Sequence, residues 1–248
     1  MMSIKVDLNC DLGELGDSEL DEQIMPFISS CNIASGGHAG NAQSIERTVS
    51  LAKKHGVSIG AHPSYPDKEN FGRLVMEIQN KDLVNSLHRQ ILMVSNECIK
   101  QGAKLRHVKP HGALYNQLAK DKELSRVVCS IIRDIDPALQ LYGLAHSDIE
   151  SVANESKIVF IPEGFADRKY EADKTLMSRK KAGAVITDLA MVLAQVEELI
   201  LKGRVDAEGW LEVKVKSVCL HSDTIGAVNL AMQIRRHLEK HGVQITSV

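Results

Sequence analysis

The chain has 248 residues, 44% hydrophobic and 25% charged, with a formal net charge of −2 from 30 Lys and Arg against 32 Asp and Glu. This balance gives no electrostatic basis for binding nucleic acid or an anionic membrane surface. There is no apolar run long enough to span a bilayer and no leader-type segment, so we expect a cytoplasmic protein. Without a linker or a break in composition, residues 1–248 are expected to form one domain.

Short apolar runs alternate with amphipathic stretches along the chain. The runs that predict strands are 4–8, 27–34, 57–61, 105–108, 139–144, 157–161 and 218–220, with a weaker eighth at 184–186. Most are apolar throughout, as expected for strands buried on both faces. The spacing predicts helices over 41–55, 83–98, 124–135, 187–199 and 227–238, with Thr187 as a cap.

This β-α order predicts an α/β protein with a parallel sheet. Polar clusters follow nearly every predicted strand, whereas an open doubly wound sheet concentrates its functional groups at one switch point. We therefore expect a distorted (β/α) barrel of seven, or with 184–186 eight, mostly parallel strands. The clusters would then meet at the carboxyl ends of the strands, where barrel enzymes bind their substrates.

The first cluster contains Asp7, Asn9, Asp11 and Glu14. In a strand the first three share one face, which would bring paired carboxylates to the barrel mouth for proton transfer or cation binding. These residues could simply form the turn that ends the strand. Burying an Asp carboxylate on the first strand costs free energy, however, which favours a functional role.

The next clusters combine small residues with histidines. Gly36, Gly37 and His38 precede a predicted helix, so a ligand could approach the backbone and the helix N-terminus. His62 follows the third strand, and Arg73 could hold a carboxylate or phosphate.

The densest cluster contains Lys109 and His111. A lysine there can neutralise an oxyanion or a phosphoryl oxygen, and a histidine can shuttle a proton. The remaining polar residues expected at the same end of the barrel are Glu163, Asp167, Arg168, His221 and Asp223. The long basic segment 165–183 is either a lid or a solvated excursion.

Two further chemistries stay open. His38, His62 or His111 with Asp7 or Asp11 could form a two-His, one-carboxylate metal site, although acid–base or substrate-binding roles are favoured in the absence of HxH or HExxH spacing. Among five cysteines without a CxxC pair, those near the polar clusters are Cys10, Cys31 and Cys219, for which buried packing is favoured over a nucleophilic role.

Several segments of the chain are long enough to serve as family motifs: DLNCDLGE at 7–14, SCNIA at 30–34, GGHAG at 36–40, GAHPSYPD at 60–67, VKPHGALY at 108–115, FADR at 165–168 with Glu163 and Tyr170, and His221 with Asp223. Together these motifs closely resemble the LamB/YcsF family of 5-oxoprolinase A subunits over essentially the whole chain. The resemblance implies a barrel related in shape to polysaccharide deacetylases. It also implies ATP-dependent opening of 5-oxo-L-proline to L-glutamate with B and C subunits.

That chemistry suggests roles for the clustered residues. Phosphorylating the lactam oxygen would call for cations beside the developing charge, and our hypothesis is that Lys109, with Arg73 or Arg168, supplies them. Asp11, Glu14 or His111 would then handle protons. Gly36, Gly37 and His38 would shape the substrate or phosphate pocket, ATP would be the co-substrate, and Mg²⁺ could accompany it.

The chain departs from the family pattern at several positions, which puts substrate preference or activity in doubt. These positions are Ser35, Asn41, Leu74, Lys174, Ser222 and Ile225. Two alternatives therefore remain: a stand-alone metal-dependent carbohydrate or amide hydrolase, and a non-catalytic regulatory subunit.

Overall fold

The computed structural model describes residues 4–16, 18–224 and 226–248. The departure at Ile225 lies outside these residues. The strands of the main sheet are β1 (Lys5–Leu12), β2 (Ser30–Ala34), β3 (Ser58–His62), β4 (Leu105–Val108), β5 (Gln140–Leu144), β6 (Phe160–Phe165), β9 (Ser217–His221) and β10 (Gln244–Ile245). A separate antiparallel hairpin joins β7 (Arg204–Asp206) to β8 (Trp210–Glu212).

Seven of these strands close a parallel barrel. Each strand from β1 to β6 pairs with the next, and β9 pairs with both β6 and β1. Strand β10 adds to β1 from outside this ring. The expected distorted (β/α) barrel is therefore confirmed with seven strands. The eighth, at 184–186, is wrong because Val185 makes only an isolated antiparallel bridge to Arg168.

Helices surround the barrel. They are α1 (Ser18–Ile24), α2 (Ala42–His55), α3 (Asn80–Lys100), α4 (Gly112–Leu118), α5 (Lys122–Ile135), α6 (Asp148–Glu155), α7 (Leu189–Leu201) and α8 (Ala227–Lys240), with a short 3₁₀ helix at Met25–Phe27. Asp188, not the predicted Thr187, caps α7 by accepting a hydrogen bond from the Met191 N–H. None of the helices in the described part of the chain is long and apolar enough to cross a membrane.

The strands alternate between two faces, and this differs from the predicted uniformly apolar pattern. Outward residues of β1, such as Leu8 and Cys10, are fully buried in the apolar layer beneath the helices. Inward residues are mostly polar, although barrel interiors are ordinarily filled by Val, Ile and Leu. The strand predicted at 157–161 is displaced to Phe160–Phe165 for the same reason, since Glu163 lies within β6.

A glycine makes room for this polar interior. A Cβ atom on Gly60 of β3 would lie 2.1 Å from Nε2 of His107, which is on the neighbouring strand β4. Only glycine at position 60 therefore leaves room for the His107 ring against the inner face of β3. The result is a barrel whose interior holds a continuous set of hydrogen-bonding side chains.

Candidate active site

The amino-terminal end of the barrel interior is a closed hydrogen-bond network around Asp7. Its carboxylate accepts hydroxyl hydrogen bonds from Ser29 at 2.6 Å, Ser30 at 2.7 Å and Ser217 at 2.5 Å. Burial raises the pKa of Asp7 above its ordinary value, and the hydroxyl groups partly oppose that shift. Asp7 was predicted at the mouth and as a metal ligand; both placements are wrong, because its partners lie at the opposite end.

Above Asp7, amides connect three strands. Asn9 donates to Glu163 Oε1 at 2.7 Å, and Asn32 donates to Asn9 Oδ1 and Asp11 Oδ1 at 2.8 Å each. His107 Nε2 lies 2.8 Å from the side-chain amide oxygen Oδ1 of Asn32 and donates to it. Burial lowers the pKa of His107 to about 3, so its ring is neutral. The predicted site residue Asn9 therefore lies inside this network, without a place on the pocket wall.

Lys109 occupies the floor of the pocket between two carboxylates. Its Nζ lies 2.9 Å from Asp11 Oδ1, 3.1 Å from Glu163 Oε1 and 2.9 Å from Cys219 Sγ. Burial opposes the ammonium charge, but these neighbours raise the pKa of Lys109 well above its ordinary value. Tyr115 donates to the other Glu163 oxygen at 2.8 Å. Sequence reasoning did not single out Tyr115 as a site residue, although it lies in the same motif as Lys109.

Four residues converge beside Asp11 at the carboxyl end of the barrel. Glu14 Oε1 lies 2.9 Å from His38 Nε2, 3.4 Å from His111 Nδ1 and 3.8 Å from His62 Nε2. The nearest ring nitrogens of His62 and His111 are 2.9 Å apart. The structure thus brings together the predicted residues Glu14, His38, His62 and His111.

These groups strongly affect one another's ionisation. Burial opposes the charge of Asp11, but the adjacent His62 and Lys109 hold its pKa well below the ordinary value. Burial lowers the pKa of His38, and burial with the neighbouring imidazoles lowers that of His111 well below the ordinary value. Nδ1 of His38 is buried without a hydrogen-bond partner. The site therefore contains ionised carboxylate next to neutral imidazole.

A carboxylate–imidazole pair lies on another wall of the pocket. Both Asp167 oxygens lie 3.0 Å from His221 Nδ1, and Thr224 donates to Asp167 at 3.0 Å. Because an ionised carboxylate only accepts, Nδ1 carries the hydrogen and Nε2 is left to exchange a proton. Burial opposes the Asp167 charge, but His221 lowers its pKa below the ordinary value. This geometry suits a general acid or base.

Arginines surround the pocket mouth. Asp223 forms an ion pair with Arg73, in the loop before α3, and lies 3.7 Å from Arg179, in the basic segment 165–183. Asp223 therefore connects these two segments at the mouth. Arg168 donates to the Met177 carbonyl oxygen at 2.6 Å. Burial and the Arg179 charge lower its pKa to about 10, which leaves it cationic at neutral pH. Residues of the loop before α3 and of the basic segment 165–183 both line the cavity, which has a volume of about 490 Å³.

The Gly36–Gly37 turn has a packing role in the structure. A Cβ on Gly37 would lie 2.4 Å from side-chain atoms of Gln90 and Ser64, and neither glycine lines the pocket. Asn41 already accepts from the N–H groups of Gln43 and Ser44 at the start of α2. The turn therefore positions His38, and the N-terminus of α2, which follows the turn, is already capped by Asn41.

The other departures from the family pattern lie in varied surroundings. Asn41 is a helix cap, for which Asn and Asp are about equally suited, so this change has a structural explanation. Ser35 and Ser222 are buried, and Leu74 is exposed on the pocket wall. Lys174 has a positive φ of 67°, a conformation that favours glycine.

The family model described as the LamB/YcsF family matches residues 6–248. A relative from Haemophilus influenzae (strain PittEE), named as the A subunit of 5-oxoprolinase, is 41% identical over 245 residues, covering 98% of this chain and 99% of the relative. The crystal structure of a lactam utilization protein from Thermus thermophilus has a TM-score of 0.91 at 34% identity, covering 99% of this chain and 100% of that one.

A more distant structure confirms the expected deacetylase-like shape. Peptidoglycan deacetylase PdaC from Bacillus subtilis has a TM-score of 0.51 at 10% identity, covering 99% of this chain and 88% of that one, a likeness of fold alone. The whole-length matches go further. The chain belongs to the LamB/YcsF family.

Proposed function

We propose that this chain is the A subunit of a 5-oxoprolinase, which opens 5-oxo-L-proline to L-glutamate in an ATP-dependent reaction with B and C subunits. The names of its relatives support the substrate class. The observation that carries the proposal is a single cavity lined by Asp11, His62, His111 and the His221 imidazole beneath an arginine-rich mouth. Acid–base groups below and cations above suit an anionic lactam.

The substrate carboxylate binds the cationic mouth. Arg168 is the best placed of the arginines, because its Nε is buried without a partner and its charge persists at neutral pH. Arg179 lies on the same cavity wall, with its charge partly offset by Asp223. A guanidinium can hold a carboxylate through two parallel hydrogen bonds. The lactam ring then points toward the histidines and Asp11.

Ring opening needs an activated amide, because a five-membered lactam is stabilised by resonance. Transfer of the γ-phosphoryl group of ATP to the lactam oxygen, with ADP as the leaving group, activates the ring carbon toward water and requires cations near the developing charge. Attack of one water and cleavage of the carbon–nitrogen bond then leave an acyl phosphate, which a second water hydrolyses to L-glutamate and inorganic phosphate. Arg73 and Arg179 meet that need at the mouth. Lys109 is already balanced by Asp11 and Glu163, so we assign it to positioning these carboxylates. ATP would bring Mg²⁺ as its usual companion ion.

Proton transfer falls to the paired groups. His221 Nε2 accepts a proton from the attacking water, while Asp167 stabilises the imidazolium through the Nδ1 hydrogen bonds. The His221 imidazolium then returns this proton to the departing ring nitrogen, while Asp11 and His111, which line the same cavity, face the reacting amide. Each proton therefore has a defined donor or acceptor.

The test is glutamate formation from 5-oxo-L-proline and ATP, with this chain alone and combined with its B and C partners. Product only in the complete mixture supports the proposal, and its loss on His221→Ala assigns the step to this pocket. Product without ATP would favour a stand-alone hydrolase. If the B and C partners alone form glutamate as fast as the complete mixture, this chain is a non-catalytic subunit.

A further inference from the structure

The hydrogen bonds around His62 and His111 assign their tautomers. His62 Nδ1 lies 2.6 Å from the Lys109 carbonyl oxygen, and His111 Nε2 lies 3.0 Å from the Phe71 carbonyl oxygen. Carbonyl oxygens only accept, so both of these ring nitrogens carry hydrogen. In the neutral rings, His62 Nε2 and His111 Nδ1 then present bare lone pairs to each other at 2.9 Å.

Carboxylate oxygens surround the same two nitrogens. Asp11 Oδ2 lies 3.3 Å from His62 Nε2, and Glu14 Oε1 lies 3.4 Å from His111 Nδ1. Acceptors this close and this well buried repel one another unless a positive charge lies among them. That charge is either an additional proton or a bound cation.

We propose that His62 Nε2, His111 Nδ1 and Glu14 Oε1 bind a divalent transition-metal ion, with Zn²⁺ as the best fit to two imidazoles and one carboxylate. In a tetrahedral zinc site with bonds of about 2.1 Å, neighbouring ligand atoms are about 3.4 Å apart. The three observed separations, 2.9, 3.4 and 3.8 Å, bracket that value. The fourth position is left to water or substrate.

The surroundings of the two histidines match those of metal ligands. A metal-bound histidine almost always donates its other ring N–H to a carboxylate, a backbone carbonyl or water. The bonds to the Lys109 and Phe71 carbonyl oxygens meet this condition at both rings. The planes of the His62 and His111 rings make an angle of 83°, so one ion can lie in the planes of both rings.

His38 has a different place in the site. Its ring is stacked on His111 with centroids 3.6 Å apart and planes 6° apart. A metal ion binds an imidazole lone pair in the plane of the ring, so one ion cannot serve both stacked rings. His38 instead donates from Nε2 to Glu14 Oε1 at 2.9 Å. It is a positioning residue for the carboxylate ligand.

Charge balance also favours a divalent ion. Asp11, Glu14 and Glu163 have side chains at most 4% exposed, and Lys109 pairs with two of them, Asp11 and Glu163. In their ionised forms these four groups carry two negative charges in total, which a divalent ion offsets. When bound, such an ion supplies Lewis acidity toward a carbonyl oxygen or water. A catalytic role for the ion rests on the proposed function, whereas the inference that the ion binds does not.

The test is metal binding by the isolated chain, without ATP, substrate or partners. The protein is stripped with a chelator and titrated with Zn²⁺, and bound metal is counted by mass spectrometry. We expect one ion per chain, retained in a His237→Ala/His241→Ala variant, because Glu197, His237 and His241 form a separate surface group that could hold adventitious zinc.

Variants of the proposed site give the matched comparison. His62→Gln/His111→Gln should bind no zinc while circular dichroism shows a folded barrel, and Glu14→Gln serves as the milder variant if the double one does not fold. His38→Asn should keep one ion with affinity about 10- to 100-fold weaker. The proposal would be overturned if the wild-type protein bound no zinc, or if only the His237→Ala/His241→Ala variant lost it. The positive charge between the His62 and His111 rings would then be a proton. Neither result decides the outcome of the glutamate assay, so the two proposals are tested separately.

Discussion

The two ends of the barrel interior use the same residue types to opposite effect. At the amino-terminal end, hydroxyl donors satisfy Asp7 and burial raises its pKa. At the carboxyl end, His62 Nε2 and His111 Nδ1 face each other beside Glu14, and both nitrogens present bare lone pairs when the rings are neutral. A buried polar network that is complete stabilises a fold, whereas an incomplete one costs free energy and is typical of reactive sites. The comparison therefore separates scaffold from chemistry within one barrel.

The largest effect is expected at Lys109, which joins the two ends. Lys109→Met leaves Asp11 and Glu163 buried without their cation, and removing one member of a buried ion pair costs about 3–5 kcal/mol of unfolding free energy. Urea unfolding at pH 7 measures this loss. Lys120→Met, at an exposed lysine on the same pocket wall, is the control and should change stability by no more than about 0.5 kcal/mol. Equal stability of the two variants would contradict the role given to Lys109.

The next effect concerns activity at the carboxyl end alone. Asp167→Asn can donate to His221 Nδ1 and so favours the wrong tautomer, which should lower kcat about 100- to 10,000-fold. The assembled enzyme's glutamate formation is the readout. Thr224→Val removes only one hydrogen bond to the same carboxylate and should cost far less. If both variants lose activity equally, the Asp167–His221 pair has no proton-transfer role.

Asp21 is a reference carboxylate outside the barrel. It accepts from the Gly13 N–H and Thr48 hydroxyl, and burial raises its pKa to about 6. An unfolded Asp has a pKa of about 3.9, so this group loses stabilising free energy as pH rises from about 4 to 6. Asp21→Asn should therefore gain about 2 kcal/mol relative to wild type between pH 4 and pH 8. Unfolding curves at both pH values that show a constant difference would refute this.

The smallest effect is expected at the rim. Asp223→Asn removes the carboxylate between Arg73 and Arg179, which leaves the mouth more positive for an anionic substrate. KM for 5-oxo-L-proline should fall by roughly fivefold at most in low salt, and the difference should shrink in high salt. The unfolding free energy should change by less than about 1 kcal/mol, because the pair is partly exposed. A higher KM in low salt would show that Asp223 itself contacts the substrate.

Much of the barrel could be predicted from the sequence, because the apolar runs and helical stripes depend on local patterns. The misplaced ends of the first and sixth strands have one cause. In the sequence, polar residues such as Asn9, Asp11 and Glu163 indicate the ends of strands, but in the structure they lie within β1 and β6 and point inward. The alternation of polar and apolar residues in 5–12 and 30–34 was the available signal.

The site could be predicted only as a list of residues. That His62 and His111 would meet at 2.9 Å, or that Lys109 would face Glu163, depends on the pairing register of strands far apart in sequence. The mistaken choice of Asp7 as a metal candidate has the same origin, since nothing local shows at which end of the barrel a strand residue lies. Arg179 and Tyr115 were missed as site residues because their neighbours come from other segments.

A crystal structure of the chain with 5-oxo-L-proline bound would test the proposed function at its source. We expect the lactam ring in the cavity at the carboxyl end, with its carboxylate against Arg168 or Arg179 and its amide facing Asp11 and His111. Substrate bound elsewhere would contradict the proposal. So would an empty cavity at a concentration that saturates binding in calorimetry.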